Sequence, residues 1–215
     1  MSAIVFDLDG TLVHSAPDIA AAANRMLQEA GHPPLDMATA ITFVGKGIPH
    51  FVGQVMAHYG IDPAQHAALT ARMVAHYTAH PADLTRPYPG VVATLEVLTA
   101  QGHALGICTN KFHAQSVQIL DALDLSRFFG VVIGGDSLPV KKPDPAPMHA
   151  AFAALPGAPL LYVGDSETDA ETARRAGQRF ALFTEGYRQA PVAELPHAFA
   201  FGDFATLPDF VDGLA

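Results

Sequence analysis

A chain of 215 residues, half of them apolar, can build one sizeable core or a core carrying a smaller insert. Its formal net charge of −9 excludes a nucleic-acid partner, which needs a basic face. No apolar stretch is long enough to span a bilayer and no basic segment leads into a signal-type apolar run, so a soluble cytoplasmic protein without a membrane partner is expected; the single cysteine, Cys108, fits a reducing compartment.

The first predicted element is Ile4-Val-Phe, apolar without alternation as in a central parallel strand covered on both faces, and it runs into Asp7-Leu-Asp9-Gly10-Thr11. Gly10 breaks the strand. Period-two geometry points Asp7 and Asp9 the same way at the strand's carboxyl end, where open α/β sheets bind ligands. Close carboxylates repel unless a cation or a shared proton neutralises them, and a divalent metal meets that need.

Three helices follow. The first lies between the capping pattern Ser15-Ala-Pro17-Asp18 and Gly31, the second carries Ile48, Phe51, Val52, Val55 and Tyr59 at helical spacing, and the third starts at Asp62-Pro63 and includes Leu69, Met73 and Tyr77. From Pro87 onward helices alternate with short apolar strands at Ala104–Cys108, Val131–Ile133, Leu160–Val163 and Phe180–Phe183. The fold class is therefore α/β, a Rossmann-like parallel sheet formed by residues 1–14 and 87–215. Residues 15–86 form a helical insert hinged near His14–Ala16 and Leu84–Gly90.

Three strand-end loops gather reactive groups: Thr109-Asn110-Lys111, Lys141-Lys142-Pro143, and Gly164-Asp165-Ser-Glu-Thr-Asp169, with its two acids one helical turn apart. Three of the chain's four lysines lie in these loops; the fourth, Lys46, sits between Gly45 and Gly47 in the insert. His76 and His80 share a helix face, but two ligands without a third make no zinc site, and both are expected to face solvent.

With D-x-D-G-T, T-N-K, K-P and G-D-x-x-x-D in this order on strand ends, the chain resembles the haloacid dehalogenase superfamily of phosphohydrolases over nearly its full length. The helical insert resembles that superfamily's cap domain. Within the superfamily, Ser15-Ala-Pro-Asp18, Val44-Gly-Lys-Gly47, Thr109-Asn-Lys111 and Lys142-Pro-Asp-Pro-Ala-Pro147 resemble phosphoglycolate phosphatases.

The resemblance implies that Asp7 is a nucleophile forming an aspartyl-phosphate and that Asp9 protonates the leaving alcohol, then deprotonates water. An acid at position 9 favours phosphate over halide chemistry, since halide needs no proton. The resemblance further implies Mg²⁺ held by the Asp7 carboxylate, the Asp9 backbone carbonyl and Asp165, with Asp169 binding it or supporting a ligand. Thr109, Asn110 and Lys142 would surround the phosphoryl oxygens, and Lys46 would reach onto a substrate carboxylate.

The expected substrate is a small phosphorylated metabolite, 2-phosphoglycolate foremost, hydrolysed by a monomer or homodimer. Rival readings are a phosphatase for another small phosphate, a phosphomutase, a phosphonoacetaldehyde hydrolase using a cap-lysine Schiff base, and a phosphoryl-accepting signalling module. His14 stands where close relatives carry Asp, which puts in question a hinge contact made by that acid.

Overall fold

The computed structural model describes residues 1–214. The first strand, β1 (Ser2–Phe6), is buried at every position but its first, and its alternate residues serve opposite faces of the sheet: Ile4 and Phe6 join one apolar cluster, Ala3 and Val5 another. A strand that feeds two cores must be central, which explains its unbroken hydrophobicity.

After the D-x-D-G-T loop come β2 (Val13–His14) and four helices, α1 (Ala16–Glu29), α2 (Met37–Phe43), α3 (Ile48–Tyr59) and α4 (His66–Ala79). The chain returns through β3 (Arg86–Pro87), which pairs antiparallel with β2, Val13 opposite Pro87 and His14 opposite Arg86. The two linkers of the insert thus form one short ribbon. Next come α5 (Val91–Ala100), β4 (Ala104–Cys108), α6 (His113–Ala122), β5 (Phe129–Ile133), α7 (Ala146–Ala153), β6 (Ala158–Gly164), α8 (Glu167–Ala176), β7 (Phe180–Phe183), β8 (Phe199–Phe201) and α9 (Leu207–Asp212).

The main sheet has the order β5-β4-β1-β6-β7-β8, with all five pairings parallel. Counting only these six strands in chain order, this is the doubly wound 3-2-1-4-5-6 arrangement, whose direction reverses between β1 and β6. Ligand crevices open at such a reversal, outside the carboxyl ends of the strands. Asp7 follows β1 and Asp165 follows β6, so topology alone brings them together.

Several elements differ from the sequence expectation. Helix α2 was not foreseen: its seven residues are too few for a periodic signal, although Asp36 caps it by accepting from the Thr39 amide. The third predicted helix opens as a 3₁₀ turn, Pro63–Gln65, before α4 begins. Strands β5 and β6 extend beyond the expected residues, and β8 and α9 lie in a tail without a clear pattern. Among the described residues no helix is long and apolar enough to cross a membrane.

The Ser15–Asp18 pattern is not a helix cap. Ser15 makes no capping hydrogen bond, and buried Asp18 instead accepts from the amides of Leu84 and Thr85 and from the Thr85 hydroxyl, at 2.6–3.1 Å. Asp18 therefore ties the start of α1 to the returning linker. Asp18→Ala strands two amides and a hydroxyl, and should lower unfolding stability by about 2–4 kcal/mol, read as a shift of the urea midpoint at unchanged slope.

Candidate active site

The loop after β1 is tightly wound: the Thr11, Leu12 and Val13 amides all donate to the Leu8 carbonyl. The Asp7 amide continues the ladder to Val163 on β6, which fixes its carboxyl at the crevice floor. Gly10 has φ +84°, and a Cβ there would lie 2.5 Å from Asp165 Oδ2, so the turn requires glycine on both counts. Gly186 is constrained by space alone, since a Cβ would collide with the Asp165 side chain. These two glycines let backbone close around one carboxylate.

Asp165 Oδ1 accepts from the Thr11 hydroxyl at 2.8 Å and Oδ2 from the Tyr187 amide at 2.7 Å. Asp169, at the first turn of α8, has both oxygens committed. Oδ1 accepts from the Lys142 ammonium and the Tyr162 hydroxyl, each at 2.7 Å, while Oδ2 takes the Asp165 and Ser166 amides and the Ser166 hydroxyl. Ser166 in return caps the helix, completing a capping box. Lys142, almost fully buried, reaches Asp169, the Tyr162 hydroxyl at 2.8 Å and Asp7 Oδ1 at 3.0 Å.

The electrostatics follow from burial. Loss of water pushes the Asp7 carboxyl up to about 6; Lys142 opposes that rise and Asp169 adds to it. Asp165 is also pushed well up, by burial and then by the charges of Asp169 and Asp7. For Asp169 burial also acts upward, but the ammonium of Lys142 and the hydrogen bonds from Lys142, Ser166 and Tyr162 outweigh it and hold the carboxyl below its usual range. Burial disfavours the Lys142 ammonium, yet Asp169 and Asp7 together keep it charged well beyond an ordinary lysine.

Asp7, Asp165 and Asp169 each offer a carboxylate oxygen within 4.8 Å of the others, all buried. With all three ionised, three acids against one lysine leave an excess of two negative charges, which a divalent cation matches. Asp7 Oδ1, close to Lys142 but off the hydrogen-bonding direction, has no hydrogen-bond partner. Hard oxygen donors and an unfilled acceptor suit Mg²⁺; Asp7 and Asp165 would hold it, while Asp169 braces both Lys142 and the Asp165 backbone.

The family profile described as haloacid dehalogenase-like hydrolase matches residues 4–183. The chain belongs to the haloacid dehalogenase-like hydrolases. A phosphoglycolate phosphatase of Cereibacter sphaeroides (strain ATCC 17029 / ATH 2.4.9) is 53% identical over 213 residues, 98% of each chain, and one of Rhodobacter capsulatus is 41% identical over 98% of this chain and 97% of its own. The crystal structure of a predicted phosphoglycolate phosphatase from Haemophilus somnus 129pt superposes with a TM-score of 0.89 at 32% identity, covering 98% of this chain and 97% of the other.

In this haloacid dehalogenase-like hydrolase Asp7 and Asp9 line two adjoining cavities roofed by the insert, and Thr109, Asn110 and Lys111 enter from the end of β4. Lys46 lines the second cavity, beside Ser166 and Glu167, and its carbonyl accepts from Lys141 at 2.7 Å. Asn110 is brought to the site, but its amide nitrogen donates to the carbonyls of Gly45 and Lys142 at 3.2 and 3.1 Å, so it links insert to core. His76 and His80 pair with different acids, Glu29 and Asp83, and share no ligand.

Three partners, and the pairing of Lys111 with Asp9, were missed in the sequence. Tyr162 bridges Lys142 and Asp169, and its hydroxyl was the signal, a polar atom inside an aliphatic strand. Thr11 and Tyr187 hold Asp165 across 154 and 22 residues, separations that spacing cannot reveal. The Lys111 ammonium donates to both carboxylate oxygens of Asp9, at 2.9 and 2.8 Å. The Tyr187 hydroxyl also accepts from the Ala16 amide and lies 3.0 Å from His14 Nδ1, so the imidazole at position 14 does make a contact at the first linker of the insert.

Proposed function

We propose that this hydrolase is a Mg²⁺-dependent phosphomonoesterase that cleaves 2-phosphoglycolate in the cytoplasm through an aspartyl-phosphate on Asp7. The observation that carries the reading is a buried carboxylate at the carboxyl end of the central strand, 3.0 Å from a buried ammonium, with a second acid two residues on. Relatives named phosphoglycolate phosphatase at 53% identity support the substrate.

An Asp7 oxygen attacks phosphorus as the bond to the leaving oxygen breaks, and Asp9 passes its proton to that oxygen. Asp9, now ionised, takes a proton from a water that attacks the acyl phosphate, returning Asp7 and releasing inorganic phosphate. Lys142 balances charge on the phosphoryl oxygens and is kept charged and fixed by Asp169 and Tyr162. Bound at Asp7 and Asp165, Mg²⁺ would add positive charge on the phosphoryl group. Thr109 lines the same cavity, and its hydroxyl would donate to a phosphoryl oxygen from the β4 side. We assign residues 15–86 as a cap that shields the reaction from bulk water, hinged on the β2–β3 ribbon.

The test is phosphate release from 2-phosphoglycolate, sugar phosphates, nucleotides and pyrophosphate, with Mg²⁺ or EDTA. We expect 2-phosphoglycolate to exceed the others in kcat/KM by roughly 100-fold or more, with activity lost in EDTA. Even rates across the panel would remove the substrate and keep the chemistry. An aspartyl-phosphate that persists for minutes would favour the signalling reading.

A further inference from the structure

The two cavities that meet at Asp7 and Asp9 differ in their cations. Among the described residues lining the first, walled by apolar side chains of the insert such as Phe43, Phe51 and Met73, Lys111 is the one cation; Lys46 lines the second. We propose that Lys111, together with the Tyr77 hydroxyl, binds a carboxylate on the leaving-group side of the phosphate ester and so selects acidic substrates. The proposal rests on the phosphatase reading above and deepens it.

The Lys111 side chain is buried, and an enclosed ammonium needs anionic partners. Two of its three N–H donors reach Asp9, at 2.8 and 2.9 Å. The third is available to a second anion. The ammonium also stands 4.5 Å from the centroid of the Tyr77 ring, and the Tyr77 hydroxyl is buried without any hydrogen-bond partner. A buried hydroxyl left unpaired is costly, and an incoming acceptor removes that cost.

Tyr77 belongs to α4 of the insert and Lys111 follows β4 of the sheet, so a carboxylate held by both would bridge the two layers. It would also draw the ammonium away from Asp9, the acid whose proton the leaving oxygen needs. An acidic substrate would thereby release the group that serves it, whereas a neutral one would leave Asp9 in the grip of Lys111. Lys46, the residue expected for this task from sequence, faces the other cavity beside Glu167.

The discriminating quantity is kcat/KM for 2-phosphoglycolate divided by that for 2-hydroxyethyl phosphate, which has CH₂OH in place of the carboxylate. A ratio within one preparation cancels any difference in folded fraction. Lys111→Met should lower it roughly 10- to 100-fold, the scale of a charge-assisted hydrogen bond, and Tyr77→Phe by a smaller factor. Calorimetric binding of both esters to Asp7→Asn, with and without Lys111→Met, gives the same comparison without turnover.

Equal loss on both esters would overturn the proposal and leave Lys111 as a residue that only orients Asp9. So would a ratio that collapses in Lys46→Met and not in Lys111→Met. A wild-type enzyme that hydrolyses both esters equally removes the carboxylate site but keeps the phosphatase; no metal-dependent release from either removes the phosphatase itself.

Discussion

Asp7→Asn should abolish phosphate release from 2-phosphoglycolate, by roughly 10⁴-fold or more in kcat, and yet give a metal-free protein that is more stable than wild type at neutral pH. The first half follows from chemistry, since an amide oxygen does not replace a carboxylate as nucleophile. The second follows from burial. Burial disfavours the Asp7 charge, Lys142 offsets part of that cost and Asp169 adds to it, so that the folded-state carboxyl is pushed up to about 6 from 3.8.

A raised carboxylate pKa means that the folded state binds the proton more tightly than the unfolded chain. The ionised form is then a burden on the fold, fully present above about pH 6 and relieved as pH falls from 6 toward 3.8. Asparagine mimics the protonated form at every pH. In EDTA the variant should therefore exceed wild type by roughly 2–3 kcal/mol at pH 7.5, with the gap closing near pH 4. Added Mg²⁺ should stabilise wild type far more than the variant. Denaturant titrations at two pH values, with and without metal, check all three statements; a variant less stable than wild type at pH 7.5 without metal would contradict the account of a charge-burdened site.

The same physics sets what could be read from sequence. Asp7, Asp9, Thr109, Lys142, Asp165 and Asp169 were legible because each follows a strand whose apolar run marks it, and parallel strands deliver their ends to one edge. Strands β4 and β7 carry the expected residues for the same reason. Partner choice was not legible. Asp18 sits in a sequence that spells a helix cap, yet its acceptor capacity is used by backbone amides about 66 residues away, because the linkers meet in a ribbon that only the folded chain creates.

Lys46 and Lys111 show the limit from the other side. Both follow turn-forming residues near the site, and composition ranks them alike. What separates them is which cavity each lines, and that depends on how α4 brings Tyr77 over the end of β4. The tail was illegible for a different reason: β8 and α9 are short, and although Phe199 and Phe201 stack at strand spacing on one face of β8, three residues are too few for a periodic signal, while the stacking of Phe199 on Phe210 of α9 is a contact that spacing cannot reveal.

The second large effect has the opposite sign. Asp169→Ala should cost roughly 3–5 kcal/mol of stability, the scale of breaking a buried ion pair from one side. Fully buried, this carboxylate receives Lys142 and Tyr162 on one oxygen and two amides and a hydroxyl on the other. Alanine leaves the Lys142 ammonium with Asp7 as its one carboxylate partner, strands the Asp165 and Ser166 amides and removes half of the capping box of α8. Because the Asp169 carboxyl is held below its usual range, its contribution is present above the unfolded pKa and is lost only as pH falls through the lowered folded value. Two acids on one lysine thus do opposite things to the fold: Asp169 fixes Lys142, and Asp7 burdens the site until a cation arrives. A urea titration showing both Asp7→Asn and Asp169→Ala destabilised to the same extent in EDTA would refute that division, whereas opposite signs would place the stored electrostatic cost of this site on the residue that reacts.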